Sequence, residues 1–243
     1  MKVVLKFAMS LNGVLDKGDS TRSVFSNEED RKAVSRLRAE SDGILIGGGT
    51  LRKDNPNLKV YNQEDIKKRI KKGLSPHPMR IVLWGFHHQI SDYHNSNLFQ
   101  DEAFSTTIIL HERFRPEAES KIPKVSKVYI QEEQISIPQL LSLIQETTNI
   151  ETLLVEGGGI LGGQFIESGK VDLIRIAYAP CSIDNKDMKK ITLPTKSEFR
   201  LSPTRSEIQK HGSTPSDSMY SIYHSLTKDG DELLKKLALR TVK

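Results

Sequence analysis

Apolar and polar positions follow two periods along this chain. Short runs rich in Val, Ile and Leu recur: KVVLKFAM (2–9), ILIG (44–47), MRIVLWG (79–85), STTIILH (105–111), VSKVYIQ (125–131), LLVE (153–156) and VDLIRIAYAP (171–180). Such runs predict strands buried on both faces. Between them, NEEDRKAVSRLRAESDG and IPQLLSLIQETTN space their apolar residues at helical intervals. The first offers Ser26 or Asn27 as a cap, Glu28, Glu29 and Asp30 in its first turn, and Arg36 and Arg38 late, as a helix dipole favours. The second has Pro138 near its first turn. Strands alternating with helices predict an α/β sandwich with a mostly parallel sheet. FRLSPTRSEIQKHG and SMYSIYHSLT read as an antiparallel closing pair around 211–217, and DELLKKLALR as a C-terminal helix over about 229–240. No linker splits residues 1–243, so one domain is expected, interrupted by a polar excursion at 59–79. Within that excursion EDIKKRIKKG is a short basic amphipathic piece, ended by Gly73 and Pro76 and read as a solvated helix face.

Two strand runs end in glycine. GILIGGGT (43–50) and LLVEGGGILGGQFI (153–166) share one design: apolar strand, glycines, then a segment able to turn or to open a helix. Glycine lets the backbone approach a ligand closely. A helix that begins there aims unpaired N–H groups and a positive dipole end outward, which suits an anion and above all a phosphate. Two such turns predict a nucleotide held at the carboxyl ends of strands. Thr50 or Asp54 is expected to open a brief turn before Pro56.

Composition then removes alternatives. The chain is 36% hydrophobic and 28% charged, an ordinary polar globule. Its net charge of +5 is spread along the sequence; it favours a phosphorylated ligand without marking nucleic-acid binding. The single Cys181 leaves no internal disulfide and no multi-cysteine metal site, and it is read as a small buried or half-buried residue. His87, His88, Asp92 and His94 lack helical ligand spacing and read as solvated loop residues, so no metal is expected. MKVVLKFAMSLNG turns polar too early for a signal peptide, and no apolar run matches a bilayer, so the expectation is cytoplasmic with no membrane partner.

The chemistry-bearing candidates sit on or beside these strands. Gly157, Gly159 and Gly162 satisfy G-x-G-x-x-G, but the next strand carries Asp172 at its beginning, whereas a dinucleotide fold of that kind needs an acid at its end. Glu156 closes its strand at the edge where ligands bind, which favours a ligand-facing carboxylate over a plain surface one. Lys6 shares a strand face with Val4 and Ala8; it is either a snorkelling edge lysine or a buried site group.

The pieces MSLNG, LRAESDGILIGGGTLRKDNPNL, MRIVL and LLVEGGGILGGQFIESGKVDLIRIAYAP, in that order, resemble the riboflavin-pathway reductase family. That family comprises the C-terminal half of the bacterial bifunctional deaminase-reductase and its standalone archaeal and fungal relatives. The His and paired Cys ligands of the zinc-deaminase half are absent from this sequence. The resemblance implies a dihydrofolate-reductase-like three-layer α/β fold and a homodimer. It implies reduction of a ribosylamino-pyrimidine 5′-phosphate to the ribityl product by NADPH, with NADH left open. By the family pattern Ala8, Thr50, Asp54 and the turn Gly158, Gly159, Ile160, Leu161, Gly162, Gly163 and Gln164 hold the cofactor. Lys6, Arg38, Leu58 and Glu156 fall where the family contacts substrate, and Lys6 with Glu156 is the pair expected to orient the sugar and assist the proton that accompanies hydride.

Several positions depart from that pattern. The family reads S-L-D-G where this chain has Asn12, and an arginine expected after Leu58 for the substrate phosphate is Tyr61, with Lys59 as a substitute point charge. Trp84 and Gly85 replace Asp-Ser after the third strand, and APCSIDNKD lacks the usual glycines. Two alternatives follow: a paralogue that reduces another pterin- or pyrimidine-like compound, and a nucleotide-binding homologue without catalysis.

Overall fold

Each apolar run becomes a strand, and all but residues 127–130, which are half-buried, place most of their residues in the core. The structure, a computed structural model, describes residues 1–10, 12–16, 28–86, 89–90, 95–101, 104, 106–122, 126–179, 206–211 and 219–225. By contacts the chain forms two units, one of Met1 with Ser35–Leu154 and one of Lys2–Val34 with Val155–Lys243.

The first unit carries parallel strands β2 (Gly43–Gly47), β3 (Met79–Leu83), β4 (Thr106–His111) and β5 (Ser126–Ile130), in the order β5-β4-β3-β2. Leu45 registers with Ile81, Val82 with Ile108 and Ile109 with Val128, so successive branched side chains stack across the sheet. β6 (Thr152–Glu156) follows β2 in that order, and the chain enters the second unit within it. In the second unit β1 (Lys2–Ser10) runs parallel to β7 (Leu173–Ala179), pairing Leu5 with Ile174. There β9 (Met219–Ser225) pairs antiparallel with β7, and β8 (Ser206–His211) antiparallel with β9.

The long helices form where the periodicity places them. Helix α1 spans Glu28–Ala39, with residues 28–34 assigned to the second unit and 35–39 to the first. In the order of the chain, α2 (Gly48–Asp54), α3 (Gln63–Lys71), α4 (Asn97–Gln100), α5 (Arg115–Lys121) and α6 (Ile137–Thr147) belong to the first unit, and α7 (Gly159–Glu167) to the second. Ser136 and Gln139 close a reciprocal capping box on α6, and Pro138 lies in its first turn.

Five elements differ from the pattern-based reading. Residues 48–54 form a helix instead of a brief turn: Leu51 is buried and holds it, although GGTLRKD shows no apolar period. Helices α4 and α5, and the 3-10 turn Glu112–Phe114 leading into α5, are too short to display a period at all. The excursion is a helix, but Arg69 on it is buried, so its basic face is not wholly solvated. The expected caps Ser26 and Asn27, the residues His87, His88, Asp92 and His94, Cys181 with its turn, and the C-terminal helix lie outside the described residues. Among the described residues no helix is long and apolar enough to cross a membrane, and no His, Cys, Asp and Glu cluster is arranged to hold a metal.

Candidate functional site

The second unit places Lys6 in the middle of β1, between Leu5 and Phe7, whose side chains are buried. Its side chain is 13% exposed, and Nζ lies 3.2 Å from Asp30 Oδ2 on α1, a carboxylate that is only 2% exposed. Lys6 is therefore largely enclosed and ion-paired rather than snorkelling to solvent. Sequence reasoning assigned Asp30 to the helix dipole and missed this partner. A signal was present: Asp30, Val34 and Leu37 recur at i, i+4 and i+7, the spacing of a core-facing stripe. A carboxylate on such a stripe needs a cation. Ala8, two residues along β1, is half-buried on the same face as Lys6.

After Leu153, Leu154 and Val155, all buried, β6 ends at the half-buried Glu156. Gly157 and Gly158 follow, and Gly158 is the N-cap of α7 with extended backbone. The first intrahelical bond runs from Gly162 N–H to Gly158 O at 3.1 Å. The amides of Gly159, Ile160 and Leu161 thus precede any intrahelical acceptor. Nothing lies within 4 Å of where a Gly158 side chain would begin, and Ile160 is 70% exposed. Glycines 162 and 163 face inward and are buried. A Cβ at Gly162 would meet Phe7 Cζ at 2.3 Å, so this glycine lets α7 lie against β1. Gln164 is half-buried within the helix. The stretch 158–164 divides accordingly into an outward start, 158–160, that fits an anionic group and a part from Leu161 onward that packs inward.

In the first unit β2 passes directly into α2 through its N-cap Gly47. Thr50 and Asp54 stand one turn apart on α2, both half-buried, so their side chains share one face. Asn55 ends the helix at φ 40°, and its own Oδ1 and O accept from Asn97 N and Nδ2 at 2.8 and 2.7 Å.

Leu58 lies at φ 51° with its side chain buried. For a leucine that left-handed backbone costs about 1–2 kcal/mol. The following residues are gripped from several sides. Arg38 Nη1 donates to Lys59 O at 3.1 Å, Val60 N–H donates to His77 Nδ1 at 3.1 Å, and Tyr61 N–H donates to Ser35 Oγ at 2.9 Å. Lys59 Nζ sits 2.8 Å from Asp101 Oδ2, which also takes Arg80 Nη1 at 3.1 Å. Lys59 is therefore committed to Asp101, which counts against its use as the substitute phosphate cation, while Tyr61 is exposed. Burial pushes the His77 imidazole below its ordinary pKa, aided by the nearby Lys59, Arg69 and Arg80 and opposed by Asp101.

The altered positions also have local explanations. Ser10 Oγ donates to Asn12 Oδ1 at 2.6 Å and accepts from Val14 N–H at 3.0 Å, and Gly13 turns at φ 80°. Asn12 therefore serves as an acceptor for the Ser10 hydroxyl. Trp84 is buried and packs beside Gly48 at the start of α2.

The family model described as the RibD C-terminal domain matches residues 1–210. The 2,5-diamino-6-ribosylamino-4(3H)-pyrimidinone 5′-phosphate reductase of Archaeoglobus fulgidus is 35% identical over 187 residues, covering 76% of this chain and 83% of that protein. The protein of the same name from Methanothermobacter thermautotrophicus is 28% identical, covering 77% of this chain and 81% of its own. Among solved structures, a pyrimidine reductase-like protein from Corynebacterium diphtheriae superimposes with TM-score 0.74 at 18% identity, over 93% of this chain and 92% of that one. The deaminase/reductase of Thermotoga maritima gives TM-score 0.65 at 20% identity, over 92% of this chain and 56% of that one. These structural likenesses fix the α/β fold.

Proposed function

We infer the chemistry of this protein from the premise that the chain belongs to the RibD C-terminal domain family. On that premise it is an oxidoreductase of riboflavin biosynthesis with a dihydrofolate-reductase-like fold. It reduces a ribosylamino-pyrimidine 5′-phosphate to the ribitylamino product with NADPH, and a cytoplasmic homodimer is its expected form.

When bound, the reduced nicotinamide supplies hydride to the sugar C1′ of the opened imine. The chain binds and orients. Amides in the first turn of α7 would take the cofactor diphosphate, with Gly158 leaving room for close approach. Ala8, Thr50 and Asp54 would hold the rest of it. Lys6, steadied by Asp30, and Glu156 would orient the sugar, and Lys6 Nζ would hold the proton that completes the amine. Arg38 and the strained Leu58 would present the backbone that receives the substrate.

The observation that carries this reading is the start of α7: three amides precede the first intrahelical acceptor beside Gly158, which has open space around it. A second reading, a reductase acting on another pterin- or pyrimidine-like compound, is favoured by the commitment of Lys59 to Asp101. Fluorescence titration with NADPH and NADH, followed by cofactor oxidation with the ribosylamino-pyrimidine phosphate, tests both. Turnover with that substrate supports the first reading. Oxidation with another acceptor only supports the second, binding without any turnover indicates a homologue without catalysis, and no cofactor binding removes the reductase assignment.

A further inference from the structure

The segment from Leu58 to Tyr61 is a shelf of backbone that begins in a conformation leucine does not favour, with Leu58 and Val60 buried and Tyr61 exposed. Such a conformation persists only while its surroundings over-determine it. Three side chains grip its backbone: Arg38 on the Lys59 carbonyl, His77 on the Val60 amide and Ser35 on the Tyr61 amide. An arginine and a serine keep their hydrogen-bonding character at every pH a protein meets; histidine does not.

The His77 contact has a defined chemical state. Its Nδ1 accepts the Val60 N–H, so in this arrangement the ring is neutral with its proton on Nε2. His77 is 8% exposed, and its ring meets the Phe104 ring edge-on at 4.1 Å between centroids. The charged groups that face it are Lys59 on the shelf itself, Arg69 on α3, Arg80 on β3 and Asp101 after α4. Asp101 is already bonded to both Lys59 and Arg80, so its charge is shared before it reaches the imidazole. A proton on Nδ1 would set donor against donor at Val60 and add a cation beside three others.

We propose that His77 is a positioning residue for the substrate: as neutral imidazole it fixes the Val60 amide and with it the Leu58–Tyr61 shelf, and protonation releases that shelf. This rests on the reductase reading, in which the shelf receives the ribosylamino-pyrimidine phosphate. The consequence is an acid-side rise in substrate KM with little change in cofactor affinity.

The test uses the full chain with His77→Asn and His77→Leu. The Asn carbonyl sits where Nδ1 does and accepts the same N–H without titrating; Leu fills the space and accepts nothing. Substrate KM and NADPH Kd are measured from about pH 8 to about pH 5.5, together with hydrogen exchange of the Val60 and Tyr61 amides corrected for intrinsic rates. At the alkaline end His77→Leu should raise substrate KM roughly tenfold and speed exchange at Val60 by a similar factor, leaving NADPH Kd within about twofold. His77→Asn should match wild type there and lose the acid-side rise beyond that of the substrate's own phosphate. Equal behaviour of the Asn and Leu variants, or a Val60 amide as protected in His77→Leu as in wild type, overturns the inference. Expected exchange effects in a protein that reduces no tested acceptor would instead support the hold of His77 and sink the reductase reading alone.

Discussion

The Phe7 ring occupies the space that any side chain at Gly162 would need: an added Cβ would come within 2.3 Å of Cζ and 2.6 Å of Cε1. Alanine would gain about 1 kcal/mol from helix propensity, whereas overpacking a filled core costs about 1–3 kcal/mol. A buried aromatic ring on a central strand has little freedom to retreat. Gly162→Ala should therefore lose up to about 2 kcal/mol in denaturant unfolding, net of the two effects. Combining it with Phe7→Leu should recover part of that loss, because the second change makes the missing room. Additive losses in the double variant would show that the contact is not the cause.

Lys6 and Asp30 form the pair on which the proposed chemistry leans. Asp30→Asn strands a largely buried ammonium and should cost roughly 3 kcal/mol. Replacing both, as Lys6→Met with Asp30→Leu, removes the charges together and should restore most of that stability. Turnover should separate the two roles. The double variant, though stable, should lose about a hundredfold or more in kcat and keep its NADPH affinity. A stable double variant with wild-type kcat would leave Lys6 as a structural residue only.

Much of this arrangement was legible along the chain, and the reason is period. The runs at Gly43–Gly47 and Thr152–Glu156 could only be buried strands, and the glycines after them could only be a close turn or a helix start. Gly162 was legible as part of that turn but not as a packing contact, since its neighbour Phe7 is far away in sequence. Arg69 and Asp30 were illegible in a more specific way. Arg69 is one of five basic residues in KKRIKK, and only tertiary contact decides which one turns inward. Asp30 looked like the last of three acids at a helix start, a role that Glu28 and Glu29 could fill as well. Ion pairs between distant segments leave no periodic trace; an isolated charge on an apolar stripe is the most that a sequence offers.

Arg69 turns inward because three carbonyls meet it: Nε donates to Ser75 O at 2.8 Å, and Nη1 donates to Ala39 O and Ser41 O at 2.9 and 2.6 Å. It thereby ties α3 to the end of α1. Arg69→Met keeps the apolar stem but leaves those carbonyls without it, at roughly 2–4 kcal/mol. Lys68→Met, on an exposed side chain of the same helix, should stay within about 0.5 kcal/mol. Thermal unfolding of the two variants checks the contrast. Similar small effects would return the helix to a merely solvated face.

His77 also links stability to pH. Its folded pKa lies below the ordinary 6.5, so below that pH the unfolded chain binds the proton more readily than the folded one. The stability from keeping this ring neutral is complete above about pH 6.5 and is lost as pH falls through the folded value. The slope from a single site cannot exceed about 1.4 kcal/mol per pH unit. Wild-type unfolding free energy should therefore fall more steeply with acid than that of His77→Asn. Parallel curves for the two would show that the titration lies elsewhere.

Ile160 offers the sharpest test of the anion site, because stability and binding should move in opposite directions there. It is the second residue of α7 and largely exposed, directly beside the glycine-lined start of the helix. A carboxylate in a first helical turn interacts favourably with the helix dipole, typically by about 0.3–1 kcal/mol, so Ile160→Asp should unfold at slightly higher denaturant. The same charge would stand where a diphosphate is proposed to rest, and like-charge repulsion should weaken NADPH by roughly tenfold or more. High salt should narrow that gap by screening. Ile160→Asn, similar in shape and uncharged, should bind NADPH within a few-fold of wild type. If Ile160→Asp stabilises the helix while NADPH binds as before, the first turn of α7 is not where the diphosphate lies.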